Sequence, residues 1–314
     1  MENIPVNSFQ HPVFMDMDGS SDDMVSLILL LTLSNYRLTG VSITNGNCYA
    51  GNAVESVLRI FGLFCRYDLE LAVSNAEAVN PFPDAWRKKG QLINELNILK
   101  KIEPDFTKKS SKEASDFTAK KIKEQKEKSY IVLTGPATNL VNTIEKYPEI
   151  KDHIEKVYWM AGAFLSNGNV IAPDHDGSAE WNIFWDPASA KKLIQSGLKI
   201  TFFPLDACYQ VPIDNYLMYF LKKQSRFRLS KLVYNILEYS LEDHNKYYLW
   251  DVLPSLCLEF PEIAKISNTS IDIEQRGTSL GNIFKTSKGS PIHYASLIDD
   301  EKYYSTLIQK FSQF

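Results

Sequence analysis

Cysteine is scarce in this sequence. Cys48, Cys65, Cys208 and Cys257 are the only four in 314 residues, with no Cys-x-x-Cys pair and no histidine at ligand spacing. That excludes a disulfide framework, gives no sign of a zinc site, and fits a reducing compartment. Basic charge is not in excess either: 34 Lys and Arg against 38 Asp and Glu leave a net charge of -4, so no overall positive field exists to collect nucleic acid. Long apolar runs are also missing. The longest, residues 25–33, is broken by Ser26 and Thr32 and falls short of the roughly 20 residues of a membrane span. The first ten residues carry neither the basic nor the apolar region of a secretory leader, so a cytoplasmic protein without membrane or nucleic-acid partners is expected. Gly-x-Gly-x-x-Gly, Walker A and His-Glu-x-x-His patterns are absent, which removes support for nucleotide cofactors and zinc hydrolysis.

What the sequence does have is alternation. Val13-Phe14-Met15 is a buried-strand pattern ending at Asp16, followed by a mostly apolar helix over residues 24–33; residues 38–44 read as a second strand and 50–64 as a second helix. Two further strands, 130–133 and 157–160, flank a helical stretch at 139–145. Strands alternating with helices predict an α/β fold: an open, mainly parallel, Rossmann-like sheet with helices on both faces. Residues 100–128 hold ten lysines against six acids with no good apolar stripe, and are expected to be a solvated helix face and its connecting loop. The chain is 44% hydrophobic, ample for a continuous core. Without a repeat or a linker-like stretch, residues 1–314 are expected to form a single domain.

The strongest local feature is acidic. Asp16, Asp18, Asp22 and Asp23 crowd into eight residues after the first strand, where open α/β sheets bind ligands. Four carboxylates so close repel one another and need a counter-charge, and oxygen-only donors favour a hard cation, Ca²⁺ or Mg²⁺, over zinc. A helix cap by Ser21 or Asp22 accounts for one acid, not four. Residues 13–20, Val-Phe-Met-Asp-Met-Asp-Gly-Ser, resemble the nucleophile motif of haloacid-dehalogenase-type phosphatases, with Asp16 attacking phosphorus. That family also needs a lysine and a paired-acid motif at later strand ends, and Phe-Phe-Pro-Leu-Asp at 202–206 supplies one acid only, Asp206. The spacing Asp-x-Asp-Gly-x-x-Asp-Asp over 16–23 resembles instead the amino-terminal motif of the calcium-dependent nucleoside hydrolases. Later blocks follow the hydrolase order: Gly-Pro-Ala-Thr-Asn at 135–139, Ala-Glu-Trp-Asn-Ile-Phe-Trp-Asp-Pro at 179–187, and Tyr-Tyr-Leu-Trp-Asp at 247–251. Trp181, Trp250 and Ala-Val-Asn-Pro-Phe-Pro-Asp-Ala-Trp-Arg at 78–87 are similar to the purine-specific inosine-adenosine-guanosine branch, whose broader-specificity cousins carry His where Trp250 stands.

The resemblance implies the nucleoside hydrolase fold, a bound Ca²⁺ and hydrolysis of purine ribonucleosides to base and ribose, with a homodimer as the family's assembly. It implies that Asp18, Asp23, Asp251 and the main-chain carbonyl of Thr134 hold the cation, Asp18 serving also as general base. Asp22, Met160, Asn169, Glu180, Asn182 and Asp251 match ribose contacts, and Asn47, Trp86, Trp181 and Trp250 the base-binding positions. Asp16 would support the metal loop from behind. Such a set suits the chemistry, because breaking an N-glycosidic bond develops positive charge on the sugar and negative charge on the base. Indole faces favour a protonated purine, which then leaves neutral.

Two positions depart from the branch: Asn47 replaces an Asp, and Ser20 an Asn. A role carried by that carboxylate or that amide does not transfer. Two alternatives therefore stand beside the hydrolase, a Mg²⁺-dependent phosphatase using Asp16 and a nucleoside or ribose sensor that has lost turnover. The five histidines, His11, His153, His175, His244 and His293, follow no triad order and are expected at the surface or in caps, with His175 and His244 nearest the site blocks.

Overall fold

Alternate residues of the first strand enter two separate apolar layers, and the architecture follows from that division. In β1 (His11–Met17), Val13, Met15 and Met17 join one buried cluster and Phe14 the other, the period-2 arrangement of a sheet covered on both faces. The structure, a computed structural model, describes residues 10–242 and 247–313. After β1 come β2 (Tyr36–Ile43), β3 (Leu71–Val73), β4 (Ser129–Leu133), β5 (Ile154–Trp159), β6 (Ile200–Phe202), β7 (Ala264–Ile273), β8 (Ile283–Lys285) and β9 (Ser290–Ile298). They form one nine-stranded sheet, ordered β3-β2-β1-β4-β5-β6-β9-β7-β8. Every pairing from β3 across to β9 is parallel, and β7 runs antiparallel to both β9 and β8. From β1 the chain winds outward through β2 and β3, then restarts on the other side with β4. The β1/β4 boundary is thus the switch point at which open α/β sheets leave a crevice.

The helices are α1 (Ser21–Leu30), α2 (Ala50–Leu63), α3 (Asp84–Lys89), α4 (Ala114–Lys123), α5 (Thr138–Lys146), α6 (Trp181–Trp185), α7 (Pro187–Ile194), α8 (Leu205–Cys208), α9 (Asn215–Lys223), α10 (Arg228–Leu241), α11 (Val252–Glu259) and α12 (Asp300–Phe311). Residues of α1, α2 and α9 to α12 pack with Met15, those of α4, α5 and α7 with Phe14. The α/β, mainly parallel sheet covered on both faces is as expected.

Three details differ from the sequence-based expectation. β1 does not end at Asp16, because Asp16 and Met17 still pair with Ser42 and Ile43 of β2. α1 starts at Ser21, not residue 24, and ends at Leu30. Its N-cap is Ser20, whose N–H donates to Asp23 Oδ2 at 2.7 Å, so Asp22 and Asp23 sit in the first helical turn, where the helix dipole favours acids. The lysine-rich stretch does contain an apolar stripe. In α4, Ala114, Phe117, Thr118, Lys121 and Ile122 are buried at i, i+3, i+4, i+7 and i+8, the spacing of one helix face. The Phe117 ring lies 6.1 Å from that of Phe14. Small and polar residues disguise the stripe; Lys121 belongs to it because its stem packs while its ammonium pairs with Glu70 at 2.7 Å.

One buried ion pair fastens the far end of α11. Lys310 Nζ lies 2.8 Å from Glu259 Oε1, with the two side chains 7% and 5% exposed. Glu259 Oε2 accepts from Ser34 N and Asn35 N at 2.7 and 3.0 Å. Glu259→Gln strands a buried ammonium without its counter-charge and is expected to cost about 3–5 kcal/mol, measured as a shift of the urea midpoint at neutral pH. A loss below about 1 kcal/mol contradicts this account.

Candidate active site

Above the switch point, the end of β1 turns sharply into α1 at Gly19, whose φ is +87° and where a Cβ would lie 2.5 Å from that of Ala53. The turn delivers Asp18, Asp22 and Asp23 to one place, and Asp251, the N-cap of α11, joins them. Asp18 Oδ2 accepts from Asn47 N at 3.0 Å. Gly46 and Gly135 let the chain close on Asp18: a Cβ on either would fall 2.5 Å and 2.9 Å from its atoms. Asp23 Oδ1 accepts from Thr134 Oγ1 at 2.5 Å, and Asp22 Oδ2 accepts from Asp251 N at 3.3 Å. Ser20 Oγ lies 2.5 Å from Asp22 Oδ1, 2.9 Å from Asp23 Oδ2 and 3.5 Å from Asp251 Oδ2. A hydroxyl has one proton to share among the three.

These acids are buried, and burial raises the pKa of each; for Asp18, Asp23 and Asp251 the neighbouring carboxylates raise it further. The surrounding cavity measures about 800 Å³, the size of a small-molecule site. Its described lining includes Asp18, Asp22, Asp176, Glu180 and Asp251 and no Lys or Arg. Among the described residues no three His, Cys, Asp or Glu side chains already converge as a metal cage. The donor set nonetheless fits a hard cation, being oxygen-only, anionic and short of counter-charge.

The opposite wall comes from α6 and the loop after β5. Glu180 caps α6: Oε1 accepts from Asn182 N at 2.9 Å and Oε2 from Gly162 N at 3.0 Å. Burial pushes its pKa up to about 7. Asn182 Nδ2 donates to Met160 O at 3.0 Å and to Thr134 O at 3.2 Å, linking this wall to the acid cluster. Asn169 Oδ1 accepts from Trp181 N, and its main-chain oxygen from Trp181 Nε1, both at 3.0 Å.

Aromatic rings complete the lining. Trp181 stacks on Phe82 at 4.9 Å and meets Trp86 of α3 edge-on at 5.6 Å. Trp250 packs edge-on against Tyr247 at 4.8 Å. Its Nε1 is buried without a hydrogen-bond partner among the described residues, and the Trp181 Nε1 is spent on Asn169. Both indoles therefore have rings, not N–H groups, to offer a ligand.

Of the residues singled out in the sequence, Asp18, Asp22, Asn47, Trp86, Thr134 and Met160 line this cavity, as do Asn169, Glu180, Trp181, Asn182, Trp250 and Asp251. Asp23 stands behind them, fully buried. Asp16 does not line it. It shares the strand parity of Phe14, so it points into the other layer, where Asn139 Nδ2 donates to it at 3.2 Å and burial raises its pKa to about 7. A phosphatase nucleophile has to face substrate, and that alternative loses its residue. His175 is no cavity residue either: its ring bridges Gly177 N and Leu280 O, pinning a loop that lines the cavity. His244 lies outside the described residues. Sequence reasoning did not assign roles to Phe82, Tyr209 or Tyr239, which also line the cavity; Phe82 lay within the 78–87 block, while the tyrosines carry no local signal.

The sequence matches the family model described as inosine-uridine preferring nucleoside hydrolase over residues 13–305. The chain belongs to this nucleoside hydrolase family. The pyrimidine-specific ribonucleoside hydrolase RihA of Escherichia coli strain K12 is 27% identical over 250 residues, covering 74% of this chain and 72% of that protein. RihA of Shigella boydii serotype 4 matches to the same extent. The inosine-uridine preferring nucleoside hydrolase from Bacillus anthracis has a TM-score of 0.91 at 29% identity, covering 97% of this chain and 100% of that one. The purine-preferring ribonucleoside hydrolase from Gardnerella vaginalis, at 22% identity and a TM-score of 0.80 over 96% and 98% of the two chains, is alike in fold. The expected membership of the nucleoside hydrolases holds, while relatives of this chain differ in the base they prefer. No described helix is long and apolar enough to cross a membrane.

Proposed function

We propose that this nucleoside hydrolase cleaves purine ribonucleosides to free base and ribose, with Ca²⁺ held by Asp18, Asp23, Asp251 and the Thr134 carbonyl. The supporting observation is a single cavity lined both by uncompensated carboxylates and by indole rings. Water's oxygen bonds to C1′ of the ribose as the bond from C1′ to the base nitrogen breaks; one water proton passes to Asp18 and the other stays on the new C1′ hydroxyl, while the base, which takes a proton from solvent at N7, leaves neutral and Asp18 returns its proton to solvent. Asn47 N–H holds Asp18 in place for that transfer. Asp22, Asn169, Glu180 and Asn182 grip the sugar hydroxyls, Met160 packs on the ring, and the carboxylates stabilise its growing positive charge. A hard cation, when bound, adds charge that orients sugar hydroxyls and acidifies a nearby water. Trp86, Trp181 and Trp250 stack on the base beside Asn47.

A second reading is pyrimidine cleavage, favoured by the pyrimidine-specific RihA relatives and by the hydroxyl groups of Tyr209, Tyr239 and Tyr247 in the cavity lining, since a pyrimidine needs a placed proton donor. Incubation with inosine, uridine and inosine monophosphate, followed by chromatography for free base and phosphate, separates these. Inosine is expected to release hypoxanthine at least tenfold faster than uridine releases uracil. Faster uridine cleavage favours the second reading, free phosphate from inosine monophosphate favours a phosphatase, and no cleavage of any nucleoside favours a sensor.

A further inference from the structure

Asp206 has no part in this chemistry, and it does not line the cavity. It stands in the first turn of the short helix α8, directly after β6. An aspartate there ordinarily serves the N–H groups of its own helix. Its carboxylate instead reaches some 40 residues back along the chain: Oδ2 accepts from Phe164 N at 2.7 Å, and Oδ1 from Leu165 N at 2.8 Å and Ser166 N at 2.6 Å. Three consecutive main-chain donors gathered on one carboxylate fix the direction of the chain through that point, because each N–H serves in one orientation only. Apolar packing does not do this for Leu165, which is 80% exposed.

The segment fixed in this way leads straight into the cavity wall. Residues 167–171 line it, and a second anchor follows at once: Asn169 N and Val170 N donate to Ala179 O at 3.0 and 3.2 Å. Gly168 lies so close that a Cβ would fall 2.0 Å from the same oxygen. Leu205 N also donates to Gly162 O at 2.8 Å, so α8 and the loop after β5 are joined at both ends of the turn.

We propose that Asp206 is a positioning residue for the sugar subsite: by gathering the N–H groups of residues 164–166 it sets where Asn169 meets the ribose. This rests on Asn169 being a ribose contact, as in the proposed function. The test is a cycle of Asp206→Ala, Asn169→Ala and the double variant assayed on inosine, together with amide hydrogen exchange over residues 160–172. Asp206→Ala is expected to raise KM about tenfold or more with a smaller change in kcat, and to speed exchange at 164–166. In the Asn169→Ala background it is expected to cost less than about twofold, since the group it positions is gone. Asp206→Asn, which keeps one acceptor oxygen and the shape, falls between and covers the case in which the alanine variant does not fold. An equal loss in both backgrounds, or unchanged exchange at 164–166, overturns the proposal. A wild-type chain that cleaves no nucleoside overturns the proposed function instead, and calorimetric inosine binding then replaces KM in the same cycle; absence of inosine binding overturns both.

Discussion

Asp251→Asn and Asp18→Asn are each expected to remove inosine cleavage, by about a thousandfold or more, while leaving a protein that in a chelator melts no lower than the wild type. The two halves of that result have one cause. Each acid is buried among other acids that raise its pKa, and nothing cationic among the described lining residues offsets them. Replacing one by a neutral isostere relieves repulsion in the folded state, so stability does not suffer. Activity does. Asp18 is the proposed base, a role worth about 10²–10⁴-fold, and both residues are proposed to hold the cation. Retained turnover in either variant, measured with and without chelator, removes the metal mechanism.

The same arrangement sets the response to Ca²⁺ itself. A cation that binds only the folded chain at about 100 times its Kd adds about 2.7 kcal/mol. With an unfolding entropy of about 2.1 cal/mol/K per residue, a chain of 314 residues then melts about 4 °C higher. That rise is expected for the wild type in scanning calorimetry and is expected to vanish in Asp251→Asn. No rise in the wild type at millimolar Ca²⁺ speaks against the site.

The sequence made the acid cluster legible because Asp16 to Asp23 are neighbours in the chain, and the sheet legible because β1, β2, β4 and β5 are apolar runs next to helical ones. What it hid lies in features with no local period. The strand parity that turns Asp16 away from the cavity depends on β1 continuing to Met17, which β2 decides by pairing with it; Asp18 has the same parity and reaches the cavity only because the strand has ended before it and the chain turns at Gly19. β7 buries only Ala264, Ile271 and Ile273 of ten residues, so neither alternation nor a continuous apolar run announces it. Tyr209, the C-cap of α8, and Tyr239 of α10 reach the cavity only after the chain has folded. Asp206 looked like half of a phosphatase motif, and its partners lie some 40 residues away.

Trp250→Ala is expected to slow the release of hypoxanthine from inosine by about thirtyfold in kcat, with a much smaller change in KM. The argument starts from what the ring can and cannot do. Its Nε1 is buried without a partner among the described residues, so it has a π-face to offer the base and no proton. A purine can be protonated at N7, and a desolvated cation against an indole gains about 2 kcal/mol, roughly thirtyfold in rate when that charge exists only on the way to the transition state. The neutral ground-state base gains far less from the same face, which is why the loss falls on turnover. Trp250 also stands next to Asp251 and packs against Tyr247 and Tyr248, so truncation threatens the acid cluster as well as the stack. Two controls separate these effects. Trp250→Phe keeps an aromatic face of lower electron density and is expected to retain part of the rate. The Ca²⁺-dependent rise in melting temperature is expected to persist in both variants, because the acids are untouched. A loss that tracks a vanished Ca²⁺ response assigns the effect to the acid cluster and not to the stack. Unchanged kcat in Trp250→Ala means that the base is activated by a placed donor; Tyr209, Tyr239 and Tyr247 are described cavity residues that carry a phenolic proton, and the pyrimidine reading then gains what the purine reading loses.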